Sequence, residues 1–135
     1  MPLKIELKAH ESVIVGEALI INDNERIRFY IEGNVPILRE KFILREKDAN
    51  TPARRVYFVV QQMYLSRDKQ ELQKLFVEYI RDLKNTAPSL HPYIARVVEA
   101  MIVNNYYEAI KESAKLVEQE DFLFGTALRG ELKAK

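Results

Sequence analysis

The 135-residue chain is 47 % hydrophobic and 30 % charged, with only four glycines. That balance excludes disordered, collagenous and low-complexity chains and fits one domain large enough to bury a core. There is no cysteine, and Lys+Arg 21 against Asp+Glu 20 leaves a net charge of +1; a disulfide framework, a thiolate zinc site and a cysteine nucleophile are excluded, and any anion site must be local rather than a global field.

The N-terminal LKIELK alternates from the outset, unlike a signal peptide, and the longest apolar run, Val56–Val60, is far short of the ~20 residues that span a bilayer. With the missing cysteines, this leads to the expectation of a soluble, cytoplasmic protein without a membrane partner. Leu3, Ile5 and Leu7 alternate with Lys4, Glu6 and Lys8, and Ile27, Phe29 and Ile31 alternate with Arg28 and Tyr30. Period-two patterning of this kind predicts half-buried strands. KAHES, NDNE and EGN supply turns, a further strand is predicted over Val35–Leu38, and Gly16 divides VIVGEALIIN at a bulge or tight bend. Residues 1–50 are thus expected to form an antiparallel β-meander or small barrel.

From residue 51 the period becomes 3.6. Thr51 can cap a helix with Pro52 at its first position, running to about Leu65. A second helix follows Ser66, with Leu72, Leu75, Phe76, Tyr79, Ile80 and Leu83 as its apolar stripe. Pro88 and Pro92 frame a third helix that Asn104 and Asn105 stop. A fourth is predicted from Tyr106 to about Glu120, with Tyr106, Ala109, Ile110, Ala114 and Val117 facing inward. The fold class is therefore α+β: a β subdomain over residues 1–50, a bundle of about four helices over 51–124, and a flexible tail over 125–135. An uncovered strand edge in the sheet would invite a second copy, giving a homodimer.

The reactive inventory is thin. His10 and His91 lie in different halves, neither at metal-ligand spacing from another ligand, and His91 before Pro92 reads as a helix-start residue. None of the four serines stands in a Gly-x-Ser-x-Gly elbow, there is no glycine-rich phosphate loop, and the carboxylates are dispersed among lysines and arginines. No catalytic residue, metal or cofactor is implied, and a non-enzyme is expected. What stands out is local charge. Between Leu38 and Arg55 six basic residues, Arg39, Lys41, Arg45, Lys47, Arg54 and Arg55, face three acidic ones, Glu40, Glu46 and Asp48. Arg54 and Arg55 fall in the first turn of the predicted helix, where they add to the positive end of the dipole unless an anion compensates. That anion is either a nearby carboxylate such as Asp48 or Glu46, or a phosphate from a partner, with Phe58 or Tyr30 placed to stack a base. A solvated segment laced by internal salt bridges remains the simpler reading of the same cluster.

Several stretches carry a family likeness. MPLKIELK, ILREK at 37–41, ANTPARRVYFVVQQMYL at 49–65 and NNYYEAIK at 104–111 resemble the FlbT family over roughly residues 1–120, with Asn-Thr-Pro-Ala-Arg-Arg the most specific part. The turn at KAHESV departs from the Pro-Gly or similar tight turn expected there, as does the tail after Asp121. The resemblance implies a cytoplasmic post-transcriptional regulator that acts on the 5′ untranslated leader of flagellin mRNA, lowering its translation and stability, and that is opposed by or coupled to the partner protein FlaF, with a sign of regulation that differs between members. It defines no RNA-contacting residues. A shorter likeness, ESVIVG followed by RIRFYIEGNVPILREK, is similar to the strand order of the carbon storage regulator family, whose members bind mRNA leaders; Arg39 lines up with a basic RNA-contacting position there. The expected RNA contacts are accordingly Arg39, Lys41, Arg45, Lys47, Arg54 and Arg55. The alternative expectation is a protein-interaction module in which Phe58, Leu65 and the apolar FLFGTAL segment receive FlaF, a flagellar chaperone or flagellin.

Overall fold

A computed structural model describes residues 2–134, with side chains described for 2–125. The chain divides into two compact units: a first up to Ile43, joined by Leu65–Arg67, and a second formed by Leu44–Tyr64 and the chain from Asp68 onward.

The first unit holds five strands, β1 (Leu3–Leu7), β2 (Ser12–Val15), β3 (Ala18–Ile21), β4 (Ile27–Ile31) and β5 (Ile37–Arg39). All pair antiparallel, in two small sheets of order β1-β4 and β3-β2-β5. β1 thus bypasses its sequence neighbour and pairs with β4, Ile5 opposite Phe29 and Leu7 opposite Ile27. The alternation read in the sequence has its expected effect on β1, whose Ile5 and Leu7 are buried between exposed Lys4 and Glu6. Ile5, Leu7 and Val13 form a small core, against which Val15, Phe29, Ile31 and Ile37 pack.

Two turns depend on left-handed backbone. Gly16 (φ +60°) opens the two-residue link between β2 and β3, a conformation that glycine adopts without a Cβ penalty. His10 (φ +65°) takes the same conformation in the KAHES turn, so a tight turn is made there without a Pro-Gly pair. The turn is held by Glu11 N–H donating to Lys8 O at 3.1 Å and by Lys8 N–H donating to Glu11 Oε1 at 3.0 Å. Asn22 ties the strand ends together: buried, it donates from Nδ2 to Lys8 O and Glu25 O at 2.8 Å and to Leu7 O at 3.2 Å.

The second unit contains four helices, α1 (Pro52–Leu65), α2 (Gln70–Thr86), α3 (His91–Ile102) and α4 (Tyr106–Ala134). α1 has the predicted bounds and buries Ala53, Val56, Tyr57, Val59, Val60, Gln61 and Met63. On α2 the deepest part of the predicted stripe is Phe76, Ile80 and Leu83, whereas Leu75 lies at the exposed edge. α3 and α4 make the most extensive helix pairing. Asn104, at φ +59°, ends α3 in the left-handed conformation, one of the few non-glycine residues suited to that position. α4 continues beyond Glu120, where the sequence pattern was expected to stop. Its inward face is Ala109, Ile110, Ser113, Leu116 and Glu120; of the expected set Ala109 and Ile110 are buried, whereas Tyr106, Ala114 and Val117 are only half-buried. For the expected flexible tail, 125–135, the side chains beyond residue 125 and all of residue 135 lie outside the described residues.

Candidate nucleic-acid interface

The start of α1 is built by a complete accounting of its free N–H groups. Pro52, at the first position, has none to satisfy. Ala53 N–H donates to Glu120 Oε2 at 2.8 Å, and Arg54 N–H donates to the Thr51 hydroxyl at 3.2 Å. Arg55 N–H donates to Thr51 O at 2.9 Å, the first regular helical bond. Thr51 is thus the cap the sequence predicts, and Glu120, from the far end of the chain, is a second cap that it does not predict.

The charge question receives the same answer. The Arg54 guanidinium makes a two-pronged contact with Asp121, Nη1 to Oδ1 at 2.9 Å and Nη2 to Oδ2 at 2.7 Å, and Nη1 lies 3.8 Å from Glu120 Oε1. The planar fork matches the carboxylate, which holds the Arg54 pKa above its ordinary value. The Glu120 side chain is fully buried, so its negative charge is neutralised by the helix end and by Arg54 rather than by water. Neither Asp48 nor Glu46 supplies the main compensating anion. It comes from α4, sixty-seven residues away. Arg54, expected as an RNA contact, is therefore committed to an internal carboxylate pair, and this part of the cluster follows the salt-bridge reading.

Arg55, one residue on, projects the other way: it is exposed and has no ion-pair partner among the described residues. Arg45 and Lys47, in the segment before α1, are likewise exposed and unpaired among those residues. That segment is pinned to α1 by buried Gln61, whose Oε1 accepts from Leu44 N–H at 2.8 Å while its Nε2 donates to Leu44 O at 3.0 Å. A side-chain amide here acts as a one-residue strand, fixing the backbone that carries Arg45 and Lys47. The sequence carries no signal for this role of Gln61.

Arg39 and Lys41 belong to the first unit. Both line a groove of about 220 Å³ with Glu6, Glu11 and Glu40 on its walls and Ile5, Leu7 and Val13 at its base. Two of these carboxylates have backbone duties: Glu40 accepts from Ser12 N–H at 3.2 Å and Glu11 from Lys8 N–H. Glu6 pairs with Lys4 and Arg26, which hold its pKa below the usual range, the Lys4 hydrogen bond most strongly. Lys41 Nζ sits 5.0 Å from the Phe42 ring centre. Arg39 and Lys41 are thus exposed cations in a mixed-charge setting, a weaker anion site than their spacing suggested. Tyr30 is exposed and Phe58 half-buried. His10 stands in its turn, and His91 places Nε2 3.3 Å from Lys84 O near the end of α2. Among the described residues no three His, Asp or Glu side chains converge as metal ligands, and no helix is long and apolar enough to cross a membrane.

Fold and site together define a small α+β protein with a closed, internally neutralised helix start flanked by exposed cations. The chain belongs to the FlbT family: the family model described as Flagellar protein FlbT matches residues 3–124. It is 43 % identical over 126 residues to the probable flagellum biosynthesis repressor protein FlbT 1 of Bradyrhizobium diazoefficiens, covering 93 % of this chain and 86 % of that one. It is 39 % identical over 123 residues to the corresponding Rhodopseudomonas palustris protein, covering 91 % and 98 %. The flagellum biosynthesis repressor protein FlbT of Caulobacter vibrioides is 30 % identical over 135 residues, covering 96 % and 94 %. No solved structure matches the chain.

Proposed function

We propose that this protein is a cytoplasmic repressor of flagellum biosynthesis that binds the 5′ untranslated leader of flagellin mRNA and lowers its translation and stability. The repressor role is supported by the names of the relatives, which align along nearly the whole chain. The observation that carries the RNA reading is the exposure of Arg55, Arg45 and Lys47 without ion-pair partners among the described residues, beside a helix start whose own charge is already balanced. Such cations gain by neutralising phosphates, whereas single-stranded bases supply specificity by stacking and edge contacts. Within the first unit Arg39 and Lys41 are further exposed cations, and Arg54 holds α1 and α4 together rather than touching RNA. The test is filter binding of a flagellin leader against a scrambled RNA of equal length. Preference for the leader, weakening as salt rises, supports the reading; equal, weak binding to both refutes it.

A second reading has its own observation. Phe122 (71 % exposed) and its neighbours Leu123 and Phe124 leave apolar surface on α4, as do Ile102 and Val103 at the end of α3. Surface of this kind suits a protein partner such as FlaF, a flagellar chaperone or flagellin. Phe58 and Leu65, the other residues expected to serve it, are half-buried. Capture of such a partner, lost on Phe122→Ser and accompanied by no leader preference, would favour it.

A further inference from the structure

The strand edges of the first unit are not equally protected. β1 carries Lys4 and Glu6, β4 carries Arg28, and β5, which starts directly after Pro36, carries Arg39; charges and proline of this sort block unwanted pairing. β3, Ala-Leu-Ile-Ile, has neither, and it is one of the two outer strands of its sheet. All four of its residues are exposed, Leu19 at 52 % and Ile21 at 65 %. Among the described residues it is the one strand in which every residue is exposed.

Its free backbone groups can be located. Asn22 N–H donates to Glu11 O, which marks 11–22 as a hydrogen-bonded pair. In an antiparallel ladder such pairs alternate with non-bonded ones. By that alternation Val13–Ile20 and Val15–Ala18 are bonded pairs in the β2–β3 register, so N–H and C=O of Leu19 and Ile21 point outward, away from β2.

We propose that β3 is a self-association edge on which a second copy of this chain pairs antiparallel about a two-fold axis at Ile20. Leu19 of each copy then stands opposite Ile21 of the other, both exchange backbone hydrogen bonds, and the two Ile20 side chains meet. The register follows from the outward groups: Leu19 with Ile21 is the pairing that uses both of them on each copy. The product is one sheet with three strands from each chain. A strand edge is self-complementary under a two-fold operation, which is why the occupant is a second copy rather than an unrelated protein. Glu17 and Asp23 bracket the strand, so that this register brings Glu17 of one copy toward Asp23 of the other. The association is therefore strengthened, not weakened, by added salt, which screens that repulsion. The contact is a single pair of four-residue strands, so the dimer is concentration-dependent rather than obligate.

Sedimentation equilibrium on the full chain at low and high salt, with amide hydrogen exchange at two protein concentrations, tests this. A reversible dimer is expected, with Leu19 and Ile21 amides protected only at high concentration. Ile21→Lys should raise the dissociation constant about tenfold or more, since it exchanges a cross-strand apolar pair for a buried charge. Its circular dichroism should stay unchanged, because residue 21 is exposed in the single chain. A strict monomer at every concentration overturns the proposal, as does a dimer whose Leu19 and Ile21 amides stay unprotected. Should Ile21→Lys fail to fold, Ile21→Thr, which keeps a β-branched side chain, must still weaken the dimer; an unchanged dimer in Ile21→Thr with altered exchange elsewhere also overturns it.

Discussion

At the residue scale, Glu120 and Asp121 are adjacent carboxylates with different burdens. Glu120 is fully buried and accepts the Ala53 N–H, so Glu120→Ala leaves a buried donor unpaired and deprives Arg54 of part of its compensation; a loss of about 2–3 kcal/mol in urea unfolding is expected. Asp121 is half-exposed, and despite its two short bonds Asp121→Ala should cost no more than about 1 kcal/mol, because water replaces much of the pair. Equal losses for the two variants would contradict this division. Tyr57 gives a pH prediction. Burial pushes its phenol up to about 12, so the folded protein holds that proton more tightly than the unfolded chain, whose phenol titrates near 10. Its contribution is fully present below about pH 10 and is lost as pH rises from there toward 12, by about 1.4 kcal/mol per unit. Tyr57→Phe should flatten the fall of the unfolding midpoint over that window, and an unchanged slope would show that Tyr57 is not its source.

At the scale of elements, two polar side chains connect what strands and helices alone leave apart. Asn22→Leu removes the donor to three carbonyls at the strand ends, and Gln61→Leu strands both the N–H and the C=O of Leu44. Each should cost about 1–3 kcal/mol. The Gln61 variant should also speed hydrogen exchange through 44–48, the stretch with Arg45 and Lys47, whereas the Asn22 variant should not. These devices were not legible in the sequence, because hydropathy periodicity marks which face is apolar and is silent about a buried amide. The same blindness explains α4: Ser113 and Glu120 belong to its inward face, and a search for apolar residues substitutes Ala114 and Val117. Local signals read well. Thr51 and Pro52 mark the start of α1, and Asn104 the end of α3, because caps and left-handed residues act within one turn. The alternation in β1 was equally plain, but its pairing with β4 was not, since partner choice depends on contacts across the chain. β3 reads as an apolar strand and nothing in its composition shows that it lies uncovered.

At the scale of the whole molecule, a net charge of +1 conceals an uneven use of cations. The sequence could locate the basic stretch from Arg39 to Arg55, but it could not show that Arg54 is neutralised from sixty-seven residues away while Arg55 has no ion-pair partner among the described residues. That difference sets how the proposed regulator should respond to salt, since only cations that release counterions on binding contribute to the slope. The decisive measurement is the dependence of leader-RNA affinity on salt for the wild type, for Arg54→Ala and for the triple variant Arg45→Ala, Lys47→Ala, Arg55→Ala. The triple variant should lower the magnitude of the log–log slope by about 2, near 0.7 per lost contact on a single strand, while Arg54→Ala leaves the slope unchanged after correction for any unfolded fraction. A wild-type slope retained by the triple variant, or one abolished by Arg54→Ala alone in folded protein, would contradict the account.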